Sequence, residues 1–311
     1  MIKKIKIFIL FFFLINSFSD NNLYGKISIK VKVDDEIITN IDIEKEAEYL
    51  KILNPNLNNL EKEKIYNLAK NSLINEIIKK KEITKFIDIN QDNQFIENYL
   101  KDLYTRLNFS NENDFKKTLE VKNNYSIDEI KHKIKLELFW NELIYSKYNK
   151  QVKIDQNKLI NKINNFNMKN QNEYFLSEIV FSKKKGKSLG ELINQIKLSI
   201  DDIGFNNTAN IYSISESSKF GGKIGWVNEN SLSDLVSEKL NNINEGEFTE
   251  VIKVGNNYLI LKIDKIKKTK LKIDKQKELE KLIQIEQNKQ LNQFSRIYFD
   301  KSKINYSINE I

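Results

Sequence analysis

Glycine is scarce in this chain and is concentrated in one short stretch. Residues 220–226 read Phe-Gly-Gly-Lys-Ile-Gly-Trp and contain three of the nine glycines among 311 residues. Because glycine accepts positive φ angles and close backbone approach, such clustering indicates a required backbone geometry. The pair Gly221-Gly222 predicts a turn into a short strand over residues 223–227, and Gly225 predicts that another segment packs closely there. An ordinary loop-to-strand turn has the same glycine pattern, so the choice between the two interpretations depends on the neighbouring segments.

Strands and helices are predicted on both sides of the glycine stretch in a definite order. They are a strand (174–181), a helix (189–200), the glycine stretch (220–226), a short capped helix (231–240) and two further strands (251–254 and 258–263). This order resembles the parvulin-type (PpiC, rotamase) peptidyl-prolyl isomerase family. The family's Gly-Gly-x-(Leu/Met)-Gly-Trp signature reads Gly-Gly-Lys-Ile-Gly-Trp here, and its Gly-Glu turn appears as Gly246-Glu247. The resemblance implies a parvulin-like α+β domain with a small antiparallel sheet over residues 171–268.

The resemblance also marks the positions of the family's catalytic groups. Active parvulins resemble one another in a His on the first strand, a Cys or Asp before the glycine pair, and a His on the last strand. This chain has Glu178, Ser215 and Leu259 at those positions. It is therefore uncertain from the sequence whether the domain is an enzyme. Either catalysis is weak or lost and the domain binds peptides, or Glu178 and Ser215 form a substitute hydrogen-bonded centre with Tyr258 or Tyr212.

Apolar side chains around the glycine stretch are the candidates for peptide binding. By resemblance, Leu232, Val236 and Leu240 form the cradle for a proline ring. The alternative is that they are core residues of a short amphipathic helix, which is the interpretation favoured for Leu240. Trp226 and Tyr258 complete the predicted peptide-binding set. Rotation about a peptide bond faces a barrier of ~18–20 kcal/mol. A catalyst needs an apolar cradle and polar groups that favour the twisted amide, so no metal ion or other cofactor is predicted.

The amino terminus has the features of a secretory signal peptide. Three lysines within the first six residues precede an apolar run at 7–15, and Ser17 and Ser19 provide small side chains before a cut at Asp20. The run is shorter than the ~20 residues of a membrane span, although an uncleaved anchor is the alternative. Removing residues 1–19 takes away those three lysines and lowers the net charge from +8 to +5. We therefore expect a periplasmic protein without a membrane span.

Helical patterns fill the chain between the signal peptide and the parvulin-like region. Residues 27–38 predict a hairpin, Thr39 caps a first helix, and Ser126 opens a long helix that ends near Tyr148. Further helices are predicted at 59–85 and 93–107. Beyond the parvulin-like region we predict a helix over 274–294 and a strand that carries Ile304, Tyr306 and Ile308.

This arrangement resembles the SurA-like periplasmic chaperones. The resemblance lies in the residues at 33–39, 73–78 and 125–141 and in the order of the elements. It implies a helical SurA-N-like domain over residues 20–170, followed by the parvulin-like domain over 171–268. It further implies that residues 269–311, a helix and a strand, return to pack on the N-terminal domain. The predicted fold class is therefore α+β and multidomain.

Composition narrows the possible functions. Cysteine is absent and His132 is the one histidine, so a thiol nucleophile and a Cys- or multi-His metal site are excluded. His132 lies at the edge of an apolar helix stripe, so we expect it to be a residue of the surface or of the boundary between surface and core. Lysines alternate with acidic residues, which indicates solvated helix faces and no nucleic-acid partner. The sequence lacks a Gly-x-x-x-x-Gly-Lys phosphate loop, as suits a compartment without ATP.

These features predict a monomeric periplasmic folding chaperone. Its expected partners are unfolded polypeptides, chiefly outer-membrane β-barrel and other secreted proteins, and its isomerase domain has weak or lost activity. An active peptidyl-prolyl isomerase that accelerates the folding of exported proteins is the second hypothesis. A scaffolding protein whose parvulin-like domain is an interaction module is the third.

Overall fold

Both ends of the chain contribute to a helical body. The computed structural model describes residues 27–91, 93–123, 125–164, 171–183, 188–269 and 274–311, so the predicted signal peptide lies outside the described residues. The body contains β1 (Ile29–Val33), β2 (Glu36–Thr39), α1 (Asn40–Leu53), α2 (Lys62–Thr84), α3 (Ile96–Arg106), α4 (Glu112–Asn123), α5 (Ile127–Tyr148) and α6 (Gln156–Asn164).

Local capping chemistry fixes where two of these helices begin. The Thr39 hydroxyl accepts a hydrogen bond from the Asp42 amide at 3.2 Å, and the Asp42 carboxylate accepts one from the Thr39 amide at 2.8 Å. Ser126 and Glu129 make the same reciprocal pair at the start of α5. Each pair satisfies amide groups that the first helical turn leaves without partners. Both predicted capping boxes are confirmed.

The C-terminal segment closes the body. It consists of α10 (Lys275–Lys303) and β7 (Ile308–Glu310), and β7 pairs antiparallel with β1 in a sheet of order β2-β1-β7. The Trp140 indole in α5 donates to the Ser295 hydroxyl in α10 at 2.8 Å, and the Tyr298 hydroxyl donates to Glu82 in α2 at 2.6 Å. Contacts between residues this distant in sequence make α10 part of the helical core.

The α+β domain is built on a second sheet. Its elements are β3 (Gln171–Phe181), α7 (Leu189–Ile203), α8 (Phe205–Tyr212), β4 (Lys223–Asn228), α9 (Asp234–Asn241), β5 (Ile252–Val254) and β6 (Asn257–Thr269). The strands are antiparallel in the order β4-β3-β6-β5. One face packs Ile179, Phe181 and Ile260 on α7 and α8, and the other packs Leu176, Leu261 and Ile263 on α9. The predicted fold class is confirmed.

The structure corrects two local predictions and adds one helix that was not predicted. Ile304 does not belong to the final strand: α10 continues to Lys303, and Ile304 is 83% exposed. Gly225 is not a point of close approach, because a Cβ there would meet no atom within 4 Å. Helix α8 was not predicted from the sequence, since its eight residues, Phe-Asn-Asn-Thr-Ala-Asn-Ile-Tyr, include three asparagines, which favour caps and turns over helix interiors.

No helix in the described ranges combines the length and the apolar character that crossing a membrane requires.

Candidate peptide-binding site of the α+β domain

The glycine pair contacts the backbone of the first strand. Gly221 and Gly222 have φ angles of 69° and 79°, which favour glycine. The Glu178 amide in β3 donates a hydrogen bond to the Gly222 carbonyl at 2.8 Å. A Cβ at position 222 would overlap the Glu178 carbonyl oxygen and lie 2.9 Å from the Ala209 Cβ. The close approach predicted for this stretch therefore occurs at Gly222.

Glu178 and Ser215 form a hydrogen-bonded group with a third residue, Ser217. The Ser215 and Ser217 hydroxyls donate to the same Glu178 carboxylate oxygen, Oε1, at 2.5 Å and 2.8 Å. The two hydroxyl oxygens lie 3.1 Å apart. The predicted pairing of Glu178 with Ser215 is therefore present in the structure. Ser217 was missed from the sequence, although a serine-rich loop directly before the glycine pair was the available signal.

Backbone contacts hold the loop that carries these serines. The Val180 amide in β3 donates to the Ser213 hydroxyl at 3.0 Å, and the Ile214 amide donates to the Val180 carbonyl at 2.8 Å. At the other end of the loop, the Gly222 amide donates a hydrogen bond to the Ser217 carbonyl at 2.9 Å. The loop is thus fastened to β3 on one side and to the glycine turn on the other.

The third family position, Leu259, provides no hydrogen-bonding side chain. Leu259 lies opposite Val180 in the β3–β6 pair, and Glu178 lies opposite Leu261, so the two positions are on adjacent strands. The half-buried Leu259 side chain packs in the apolar cluster that contains Val236 and Leu261. The site therefore combines one carboxylate and two hydroxyls with an aliphatic wall. Among the described residues, no set of three or more His, Asp or Glu side chains could hold a metal ion.

The four predicted peptide-binding residues do not converge on one surface. Leu232 and Val236 belong to the apolar cluster on the α9 face of the sheet, together with Leu259. Tyr258 belongs to the opposite face, where its ring stacks on Phe181 with centroids 5.6 Å apart. Trp226 also lies away from the cradle, because its neighbour along β4, Val227, packs on the α9 face.

The loop between Ser215 and the glycine pair also contacts the helical body. Lys219 Nζ lies 3.0 Å from Glu137 Oε1 in α5, and Lys79 in α2 approaches the other oxygen of Glu137 at 2.8 Å. Burial alone would raise the pKa of Glu137, but Lys219 and Lys79 hold that pKa far below its usual range. The Phe220 ring packs beside the body's core, with the Arg106 guanidinium 4.0 Å above its centroid.

This architecture and this site define a small antiparallel α+β domain with a parvulin-like arrangement of strands, glycine turn and site loop. Residues 170–265 match the family model described as the PPIC-type PPIASE domain, named Rotamase. Residues 170–265 thus contain a PPIC-type peptidyl-prolyl isomerase domain, and the predicted parvulin-type domain in this part of the chain is confirmed. At the level of whole sequences, none of the curated proteins matches this chain.

Three solved structures illustrate the range of similarity. A structure from the work on PEB4 and Cj1289, two SurA-like chaperones of Campylobacter jejuni, is 19% identical, covers 91% of this chain and 99% of its own, and has a TM-score of 0.37. PrsA from Bacillus subtilis is 16% identical, with coverages of 89% and 92% and a TM-score of 0.30. A PpiC-type isomerase domain is 16% identical, with coverages of 31% and 92% and a TM-score of 0.27. Functional conclusions therefore rest on the family model and the site.

Proposed function

We propose that this protein is an exported folding chaperone that binds unfolded polypeptides, with a PPIC-type domain whose isomerase activity is weak or lost. The observation that supports this most strongly is the site itself. Glu178, Ser215 and Leu259 occupy the three positions at which the family resemblance implies catalytic side chains, and the Ser217 hydroxyl also donates to the Glu178 carboxylate. Leu232 and Val236 lie together in the apolar cluster on the α9 face, which supports a cradle for a proline ring at this place.

The proposed division of labour follows the order of the chain. Residues 1–19 are a signal peptide, 20–170 the chaperone domain, 171–268 the isomerase-like domain, and 269–311 the returning helix and strand. The pairing of β7 with β1 supports the last assignment. The destination is the periplasm, the clients are outer-membrane β-barrel and other secreted proteins in transit, and the protein acts as a monomer. A disordered client loses conformational entropy on binding, so its affinity is modest.

A working isomerase is the second candidate, and one observation favours it. Ser215 and Ser217 both donate to Glu178, which places an ordered polar group beside the cradle. Such a group can favour the twisted amide in the transition state over the planar amide. Prolyl bonds isomerise over tens to hundreds of seconds without a catalyst, so even a modest acceleration is measurable.

Two assays separate these candidates and the scaffold alternative. The first follows cis–trans isomerisation of a proline tetrapeptide with the full-length mature chain. A rate no faster than that in buffer supports the chaperone, and an acceleration that Glu178→Ala abolishes supports the enzyme. The second follows aggregation of an unfolded β-barrel protein. Suppression at stoichiometric amounts supports chaperone activity, and no effect at excess contradicts it in favour of a scaffold.

A further inference from the structure

The glycine turn of the PPIC-type domain is contacted from outside that domain by the helical body. Arg106, the last residue of α3, donates from its guanidinium to the Lys223 carbonyl at 2.8 Å. The same guanidinium lies 4.0 Å from the centroid of the Phe220 ring. Phe220 and Lys223 directly precede and follow the pair Gly221-Gly222. One side chain of the body therefore spans the turn.

The guanidinium of Arg106 suits this double contact. It is planar, so it can stack on an aromatic ring and donate in its own plane to a carbonyl at the same time. The Arg106 side chain as a whole is exposed, but its guanidinium is partly withdrawn from water, and this burial lowers its pKa. A lysine ammonium could replace the donor but has no planar surface to stack on the ring.

Buried side chains fill the space on another side of the turn. Asn54 of the body, which directly follows α1, is 3% exposed, and its side-chain amide donates to the side chain of Asn210 in α8. A Cβ on Gly221 would lie 3.1 Å from Asn54 Nδ2 and 2.9 Å from the Asn206 Cβ. The Asn206 side-chain amide also donates to the Gly221 carbonyl at 2.7 Å. Arg106 thus holds the turn against a packed surface.

Hydrogen bonds connect the turn to the candidate site. The Gly222 amide donates to the Ser217 carbonyl at 2.9 Å, and the Gly222 carbonyl accepts from the Glu178 amide at 2.8 Å. The Ser215 and Ser217 hydroxyls donate to the Glu178 carboxylate. Because Gly222 is the neighbour of Lys223 in the chain, the residue that Arg106 holds is separated from Ser217 by one peptide bond and one hydrogen bond.

Glu178 needs its hydroxyl donors when a peptide covers the site. Glu178 lies opposite Leu261 in the β3–β6 pair, and side chains of directly opposite residues lie on the same face of a sheet. Leu261 belongs to the apolar cluster that also contains Leu232 and Val236. A peptide on this face removes water from the carboxylate, and desolvation of a charged group is costly unless hydrogen bonds compensate. The serine hydroxyls provide those hydrogen bonds.

We propose that Arg106 is a positioning residue of the candidate site, which makes peptide binding by the PPIC-type domain depend on the helical body. Arg106 holds the glycine turn, and the turn keeps the two serine hydroxyls on Glu178. This inference rests on the proposed function, because the ligand is a proline-containing segment of an unfolded client. The coupling is reciprocal: a peptide that prefers the positioned site strengthens the contact between domain and body by the same factor.

The first measurement is amide deuterium exchange of the full-length mature chain without ligand. Arg106→Gln should speed exchange over residues 214–222 by about fivefold, the scale expected for one lost hydrogen bond. Arg296→Gln is the matched control, because Arg296 of α10 also donates to the PPIC-type domain. Its acceptors are the Ser182 hydroxyl at 2.6 Å and the Asn257 side chain at 3.2 Å, which lie outside the turn and the serine loop. Exchange over residues 214–222 should be unchanged in this control.

The second measurement is calorimetric titration of the same chain with a proline tetrapeptide. Arg106→Gln should weaken binding about fivefold, because the Glu178 carboxylate loses well-placed donors. Arg296→Gln should bind like the wild type. Arg106→Lys keeps a donor for the Lys223 carbonyl without planar stacking, so it should recover part of the lost affinity.

A double-mutant cycle distinguishes positioning from a general loss of stability. The background is a chain with Ser215→Ala and Ser217→Ala, in which Arg106 has no hydroxyls left to position. Effects within one hydrogen-bond network are not additive, so Arg106→Gln should change the peptide affinity of this background by less than about twofold. A purely structural role of Arg106 would weaken binding by the same factor with and without the serines.

Two results would overturn the inference. One is deuterium exchange over residues 214–222 that Arg106→Gln leaves unchanged or raises no more than Arg296→Gln does. The other is a peptide affinity that Arg106→Gln leaves unchanged, or lowers equally with and without the two serines. Failure of the proposed function looks different. In that case the wild type does not bind the proline tetrapeptide, whereas exchange of the free chain still shows whether Arg106 holds the serine loop.

Discussion

The amide of Glu178 and the carbonyl oxygen of Gly222 are joined by a hydrogen bond of 2.8 Å, which fastens the glycine turn to the strand that carries the site. The same glycine has no room for a side chain, because a Cβ would overlap the Glu178 carbonyl oxygen. The glycine stretch is therefore a structural part of the candidate site, since it sets the distance between β3 and the loop with Ser215 and Ser217.

Gly222→Ala should be strongly destabilising for this reason. The positive φ of 79° alone costs an alanine about 1–2 kcal/mol, and the overlap with β3 adds to this cost because backbone must move. We expect a loss of roughly 3 kcal/mol or more in the free energy of unfolding by urea. Gly246→Ala is the matched control, since its φ is 87° and a Cβ there meets nothing within 4 Å. Equal losses in the two variants would show that close packing at Gly222 is unimportant.

Glu137 should stabilise the docked site loop in a pH-dependent manner. Lys219 and Lys79 lower the pKa of its carboxyl in spite of burial, so the folded state favours the ionised form more than the unfolded state does. This contribution is present in full above the ordinary value of 4.5 and is lost as the pH falls through the lowered folded value. At pH 7, Glu137→Gln should cost about 1 kcal/mol, because Glu137 and Lys219 are only partly buried, each 39% exposed, and solvent screens their interaction.

The measurement for Glu137 is urea unfolding of the wild type and Glu137→Gln at pH 7 and at pH 3. The difference in the free energy of unfolding between the wild type and Glu137→Gln should be smaller at pH 3 than at pH 7. Glu250→Gln is the control, because the Lys197–Glu250 pair lies within the PPIC-type domain with Glu250 75% exposed, and it should change stability by less than ~0.5 kcal/mol. A difference for Glu137→Gln that grows as the pH falls would contradict the account.

Glu46 should be essential to the stability of the helical body. Its side chain is buried and accepts hydrogen bonds from Ser72 at 2.7 Å and Tyr125 at 2.9 Å, while Lys133 lies 2.9 Å away. Burial disfavours the charged carboxylate, yet Lys133 and the hydroxyl donors together keep its pKa below the usual range. Glu46→Ala removes one partner of a buried pair and should cost about 3–5 kcal/mol.

Urea unfolding at pH 7 checks this prediction, with Glu129→Ala as the comparison. Glu129 also pairs with a lysine, Lys45, but its side chain is 45% exposed. The loss there should be about 1 kcal/mol, which includes its part in the cap of α5. If Glu46→Ala lowered the free energy of unfolding no more than Glu129→Ala does, the buried contacts of Glu46 would not stabilise the body as argued.

Local chemistry made much of the fold predictable. The capping residues Thr39 and Ser126 act through neighbours in sequence, so their roles could be inferred directly from the chain. The clustering of scarce glycines likewise indicated a turn at Gly221-Gly222, although the contact of Gly222 with Glu178 became visible only in the folded domain. Ser217 could not be found in this way, because its partner Glu178 lies 39 residues away and only the folded loop brings them together. The opposite placement of Trp226 and Val236 was also hidden, since Val236 lies on α9 and only the folded domain shows which face of β4 packs on that helix.

The central claim, peptide binding with little or no catalysis, is tested most directly by one paired measurement on the full-length mature chain. Exchange spectroscopy on a single proline tetrapeptide reports both its binding and its cis–trans interconversion rate. The account predicts saturable binding that a substitution at the half-buried Leu232, Leu232→Asp, weakens at least tenfold, with an interconversion rate within about twofold of that in buffer. A large acceleration that Glu178→Ala and Ser215→Ala abolish would contradict it and identify the protein as an active isomerase.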